Sequence, residues 1–148
     1  MQKGIQLLAA LLGSLGFAAL FNIRGKKLAF ATFGGFFTWA VYLAVEEVTL
    51  NPHICGFVSS VALTLYAEIM ARCQKTPVTV FLVSAAIPLI PGGALYRTMN
   101  YLMQREWELF GQESLYTLLF AASMSAGITV TTVIFRMVWR WVYRQRRM

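Results

Sequence analysis

Charge is what this sequence has least of. Only 13% of its 148 residues are Asp, Glu, Lys or Arg, about half the share of an average soluble domain, roughly 25%. Hydrophobic residues make up 58% and mean hydropathy is +0.61. A soluble chain this short has too high a surface-to-volume ratio to bury so much apolar side chain. Lipid must cover the excess. Histidine occurs once, as His53, and cysteine twice, as Cys55 and Cys73. These offer no metal-ligand spacing, so neither a metal nor a cofactor is expected. The two cysteines sit at opposite ends of one apolar run, about 27 Å apart on a helix, which excludes a disulfide between them within one chain. The sequence has no phosphate-cradling glycine loop, no zincin helix and no recognisable nucleophile–base pair. Neither catalytic residues nor an enzymatic activity are therefore expected.

The net charge of +7 raises the question of nucleic acid. A nucleic-acid module carries its basic residues as a stripe on a soluble surface. Here they fall in short clusters between apolar runs, the pattern of membrane topology. The expected partner is the bilayer, not nucleic acid.

What is present is a series of five apolar runs, at about 5–23, 28–45, 54–71, 78–99 and 114–135. A helix needs about 20 such residues to span a bilayer. The pattern predicts an all-α polytopic membrane protein, one domain over 1–148, with about five transmembrane helices and a basic tail over 136–148. Ten of the 13 Lys and Arg residues fall on one side of that layout: Arg24, Lys26 and Lys27, then Arg72 and Lys75, then the tail. The other side carries Lys3 and Arg105 among Glu46, Glu47, Glu106, Glu108 and Glu113. Basic loops stay in the cytoplasm, so the C-terminus is expected there and the N-terminus outside. A cleaved signal peptide is the rival reading of the first run, but the basic cluster directly behind it resists translocation. The tail interleaves arginines with Trp139, Trp141 and Tyr143, as an interfacial anchor does. The stretch Tyr101–Phe110 reads either as a helix lying on the outer surface or as the end of a long fourth helix.

The fourth run contains an interruption, Pro88-Leu-Ile-Pro91-Gly92-Gly93, with Tyr96, Arg97 and Thr98 one turn later. Two prolines remove two backbone donors, and paired glycines favour unwinding. Non-helical backbone at membrane depth persists only against protein or a water-filled cavity. The fourth helix is expected to break here. A half-helix starting near Gly93 would present amide donors and about half a positive charge, which suits a carboxylate. An arginine at depth faces a partner or a pathway, or else reaches back to the interface; the residues alone leave both open for Arg97. The candidate substrate-binding set is Pro88, Pro91, Gly92, Gly93, Tyr96, Arg97 and Thr98.

Elsewhere, small residues recur at four-residue spacing: Ala9 with Gly13, Gly56 with Ser60 and Thr64, and Ser123 with Gly127. This lets helices approach closely. The last run is rich in hydroxyls, which either line a polar path or bond back to their own helix. Asn22, Ser123 and Gly127 are held as possible pathway-lining positions. Glu68 precedes Arg72 by four residues, in the favourable order for a helix pair.

Pro88-x-x-Pro91-Gly92 with Tyr96 and Met99, Phe21-Asn22 before a short basic loop, and Ala122-Ser123 with Gly127 together resemble the threonine/serine exporter (ThrE) family. The length and five-span layout are similar to its short subunit. The resemblance implies an exporter in the bacterial inner membrane for threonine, serine or a small dicarboxylate such as succinate. It also implies a second, longer membrane subunit that carries a soluble part, and hence a hetero-oligomer. An odd number of spans gives two related units opposite orientations, the inverted-repeat arrangement of many secondary transporters. The alternative is a scaffold or assembly subunit that transports nothing.

Overall fold

A computed structural model describes residues 2–145 of the chain, and within these every regular element is helical. The helices are α1 (Gln2–Leu20), α2 (Lys26–Val48), α3 (Pro52–Cys73), α4 (Val78–Ala86), α5 (Gly92–Met103) and α6 (Trp107–Gln145), with a 3-10 turn at Ile87–Leu89 between α4 and α5. Four helices are long and apolar enough to cross a membrane: α1, α2, α3 and α6. The fourth run forms a bent pair that passes the same test only when its two halves are taken together, with α4 and its 3-10 turn set at 56° to α5. The expected interruption is thus a real bend, placed at the proline-glycine motif.

The ends of these helices follow from local chemistry. Asn51 Oδ1 accepts from the His53 amide at 3.0 Å, and Pro52 follows at a position where a missing N–H costs nothing, so α3 starts there. Three helices close with a residue at positive φ: Asn22 (57°), Lys75 (48°) and Arg105 (61°). In each case the next amide reaches back to the carbonyl five residues earlier: Ile23 to Ala18 at 3.0 Å, Thr76 to Ala71 at 2.9 Å and Glu106 to Tyr101 at 3.0 Å. This is the Schellman closure. Its left-handed residue gives Asn22 a structural task, since asparagine tolerates that conformation better than most side chains.

Two expectations are corrected by this closure. Tyr101–Phe110 is neither a surface helix nor the end of a long fourth helix. Its first three residues end α5, the chain turns at Gln104–Glu106, and Trp107 begins α6. The last helix therefore starts seven residues before the expected span and continues past it into the basic tail. At 39 residues it is about 58 Å long, well beyond a hydrocarbon core of about 30 Å. Arg146 and Arg147 lie outside the described residues, as do the side chains of Tyr143 and Arg144.

Consecutive helices α1, α2 and α3 pack as neighbours; α4 lies against α2 and α3, α6 against α3, and α5 against α6. At the end of the first hairpin Lys3 Nζ pairs with Glu47 at 2.6 Å, so these two residues share a side, as the charge count requires. The interior is built from small side chains. Ala18, Ala31, Ala67 and Phe81 form one cluster, and Leu63, Ala85 and Leu89 another. Gly127 is buried where α6 crosses α3; a Cβ there would lie 2.8 Å from the Phe57 carbonyl and collide with Ser60. Gly34 fills the same role on α2, facing Tyr66 and Ala85. Large apolar residues point outward instead, among them Leu8, Leu12, Leu118 and Ile134. That distribution suits a chain whose surroundings are apolar, as in a membrane.

Candidate functional site

The bend stands about halfway across the bundle. From Val78 to Leu89 the chain rises about 17 Å at 1.5 Å per residue, against an apolar core about 30 Å thick. The 3-10 turn rests on α1 and α2. Leu89 is buried, and Pro88 lies over Gly35, where a side chain would meet both Ser14 and the Pro88 ring. Gly35 is what lets the turn seat this deeply.

Past the turn the backbone stays irregular for two residues. Gly92 N–H bonds to the Ile90 carbonyl at 2.7 Å, and the first α-helical bond of α5 runs from Leu95 N–H to Pro91 O at 3.0 Å. Gly93 and Ala94 thus precede the first intrahelical donor, Leu95 N–H, and their amides belong to the free N-terminal set of α5. Nothing lies within 4 Å of where a Gly92 side chain would begin, and Arg97 Nη1 lies 3.6 Å from the corresponding point on Gly93. The guanidinium therefore folds back towards the start of its own helix.

Arg97 does not stand alone. Its Nε donates to Glu113 Oε1 at 2.9 Å and its Nη2 to Oε2 at 3.4 Å. The pair joins α5 to α6. A cavity of about 150 Å³ runs along the bend, bounded by Trp39 and Tyr42 from α2, by Pro88 to Pro91, by Ala94 and Arg97, and by Tyr116 and Phe120 from α6. Beside it lies a more open cleft of about 290 Å³, lined by Arg97, Tyr101, Leu109, Gln112, Glu113 and Tyr116. Arg97 and Tyr116 line both, so the ion pair stands where the two spaces meet. Tyr116 is braced by ring contacts with Phe120 at 6.4 Å and His53 at 5.4 Å. Trp39 Nε1 is buried and makes no hydrogen bond, unusual for an indole donor.

The candidate positions distribute unevenly around this site. Pro88, Pro91 and Arg97 line the bend, with Gly92 and Gly93 at the helix start. Tyr96 is exposed and belongs to neither lining. Thr98 Oγ1 donates to the Ala94 carbonyl at 2.9 Å, within its own helix. Asn22 closes α1 and accepts from Arg24 Nε at 2.8 Å. Ser123 bonds back to Leu119 O at 2.8 Å, and Gly127 serves the α3–α6 crossing. None of these three lines either space. Glu113, Trp39, Tyr42 and Tyr116 escaped the sequence reading. The one signal for Glu113 was an acidic residue next to the boundary of an apolar run, and it was counted with the outer loop.

The family model described as Threonine/Serine exporter, ThrE, matches residues 6–134. The chain belongs to the threonine/serine exporter family. The match covers all but the outermost residues of the expected spans and the whole of the bend, so the resemblance first carried by Pro88-x-x-Pro91-Gly92 extends over most of the chain. Nothing matches among curated proteins or among solved structures. Among the described residues no group of His, Cys, Asp or Glu could hold a metal ion, and the chemistry available at the bend is recognition by charge and hydrogen bonds.

Proposed function

We propose that the chain is the short membrane subunit of a secondary exporter for threonine, serine or a small dicarboxylate such as succinate. It works in the bacterial inner membrane with a longer ThrE-family subunit. The observation that carries this reading is the bend. Ala94 with its free amide, Trp39 with its buried indole donor and Arg97 with its guanidinium line one cavity at the bend, and each is a donor to a carboxylate. Pro88 and Pro91 keep that backbone from closing into a continuous helix, so the donors stay available. The long apolar faces of α1 and α6 are covered by lipid or by the partner, and the odd span count places the partner's equivalent bend in the opposite orientation. Tyr96 and Thr98 extend the site towards that partner. The tail lies in the cytoplasm and the N-terminus outside.

The test is efflux. Cells expressing the chain with its longer genomic neighbour should release labelled threonine, serine or succinate faster than cells with either gene alone. Gly92→Leu, which fills the open start of α5, and Arg97→Ala should each cut that release about tenfold or more while the protein accumulates normally in the membrane. Full efflux in both variants removes the bend as the site. Background release of all three solutes in wild type favours a scaffold subunit. Externally added thiol reagent should label Asn51→Cys and not Gln145→Cys; the reverse pattern inverts the orientation.

A further inference from the structure

The Arg97–Glu113 pair has a geometry that the export reading does not by itself require. Two donors of one guanidinium meet two oxygens of one carboxylate, the fork-to-fork arrangement in which Arg recognises carboxylates. The pair bridges two helices and is only partly covered: the Arg97 side chain is 50% exposed and that of Glu113 24%. Both residues line the 290 Å³ cleft, and Arg97 also lines the bend cavity. A solute of a few heavy atoms fits a space near the lower end of ligand pockets, about 300 Å³.

We propose, resting on the export reading above, that this ion pair is the recognition element for an α-amino acid zwitterion and that the solute binds by opening it. The α-carboxylate takes the place of Glu113 on the Arg97 fork. The α-ammonium takes the place of Arg97 on the Glu113 carboxylate. Every charge keeps a partner of opposite sign, so the exchange leaves no charge unpaired at the cleft. A dicarboxylate cannot make this exchange. Its first carboxylate can reach Arg97, but it then leaves Glu113 without a cation and brings a second negative charge close to it. The pair therefore selects amino acids over dicarboxylates, a choice that the donors at the bend do not make. Tyr116, held by its ring contacts, forms a fixed wall against which the solute is oriented.

Inside-out membrane vesicles from cells expressing the full chain with its longer neighbour allow a direct measurement of labelled threonine uptake. Unlabelled threonine, N-acetylthreonine (no ammonium), threoninol (no carboxylate) and succinate serve as competitors. In wild type, each of the last three should inhibit at least about tenfold more weakly than threonine, the loss expected for one charge-assisted hydrogen bond. Glu113→Gln should weaken threonine about tenfold and bind N-acetylthreonine no more weakly than wild type does, since no carboxylate is then stranded, so that the gap between them closes. Arg97→Lys should weaken threonine and N-acetylthreonine alike while preserving the gap, because a point charge replaces the fork. N-acetylthreonine or succinate competing within about threefold of threonine in wild type overturns the proposal without any variant. So does a Glu113→Gln protein present at wild-type level with the gap intact. Uptake of labelled succinate with none of threonine sinks the zwitterion pair and leaves the export reading standing; uptake of neither sinks both.

Discussion

Arg97 and Glu113 lie equally far from the turn that joins their helices: Arg97 six residues before Met103 at the end of α5, Glu113 six after Trp107 at the start of α6. The hairpin closes at Gln104–Glu106 through the left-handed Arg105, and that closure is what brings the two side chains together at 2.9 Å.

The pair should matter far more to transport than to stability. Solvent-screened ion pairs contribute little to stability, so Arg97→Ala and Glu113→Ala should each leave the thermal unfolding midpoint in detergent within a few degrees of wild type. Efflux should fall about tenfold or more in both. A large loss of stability with proportionate loss of efflux would instead make the pair a strut between α5 and α6.

Gly127 and Gly13 should respond oppositely to an added methyl group. At Gly127 a Cβ meets the Phe57 carbonyl at 2.8 Å, whereas nothing lies within 4 Å of Gly13. Gly127→Ala should destabilise by about 1–3 kcal/mol through overpacking of the α3–α6 crossing. Gly13→Ala should be neutral or stabilise by up to about 1 kcal/mol, because alanine favours the helix. Thermal denaturation in one detergent distinguishes the two, and equal shifts would mean that α3 and α6 do not cross there.

Arg72 is the residue whose loss should cost most. Glu68 is buried at 1% exposure, and Arg72 is its ion-pair partner as well as a donor to its carbonyl at 2.7 Å. The Arg72 guanidinium also lies 4.4 Å from the Phe135 ring centre and 4.5 Å from that of Trp139. Arg72→Met should destabilise by about 3–5 kcal/mol because it strands a buried carboxylate. The double variant Glu68→Gln with Arg72→Met should recover a substantial part of that loss. Chemical denaturation with both variants checks it; no recovery in the double variant would show that the ring contacts, not the charge, set the cost.

Arg105→Gly should stabilise the α5–α6 turn. A non-glycine residue at positive φ costs about 1–2 kcal/mol, and glycine relieves it at a position where the Schellman bonds are made by the backbone alone. A raised unfolding midpoint with unchanged efflux is the expected result; a lowered midpoint would place the Arg105 side chain in a contact that the turn needs.

Much of this architecture was legible along the chain. Apolar runs of about 20 residues can satisfy their backbone in lipid only as helices, so α1, α2 and α3 came within three residues of their observed ends. Pro88, Pro91 and the two glycines announced the bend for an equally local reason, the loss of amide donors and of side-chain restraint. What no local rule carried was the partner of Arg97. Glu113 lies sixteen residues away, beyond a turn whose position depends on a left-handed arginine, a conformation that side chain does not favour. The same holds for Trp39, Tyr42 and Tyr116, which meet the bend only because Gly34, Gly35 and Gly127 let α1, α3, α4 and α6 close in. Composition and hydropathy decided the solvent and the number of rods, since both are summed along the sequence. The crossing of those rods decided which charges and rings share a cavity, because that depends on contacts between residues far apart in the chain.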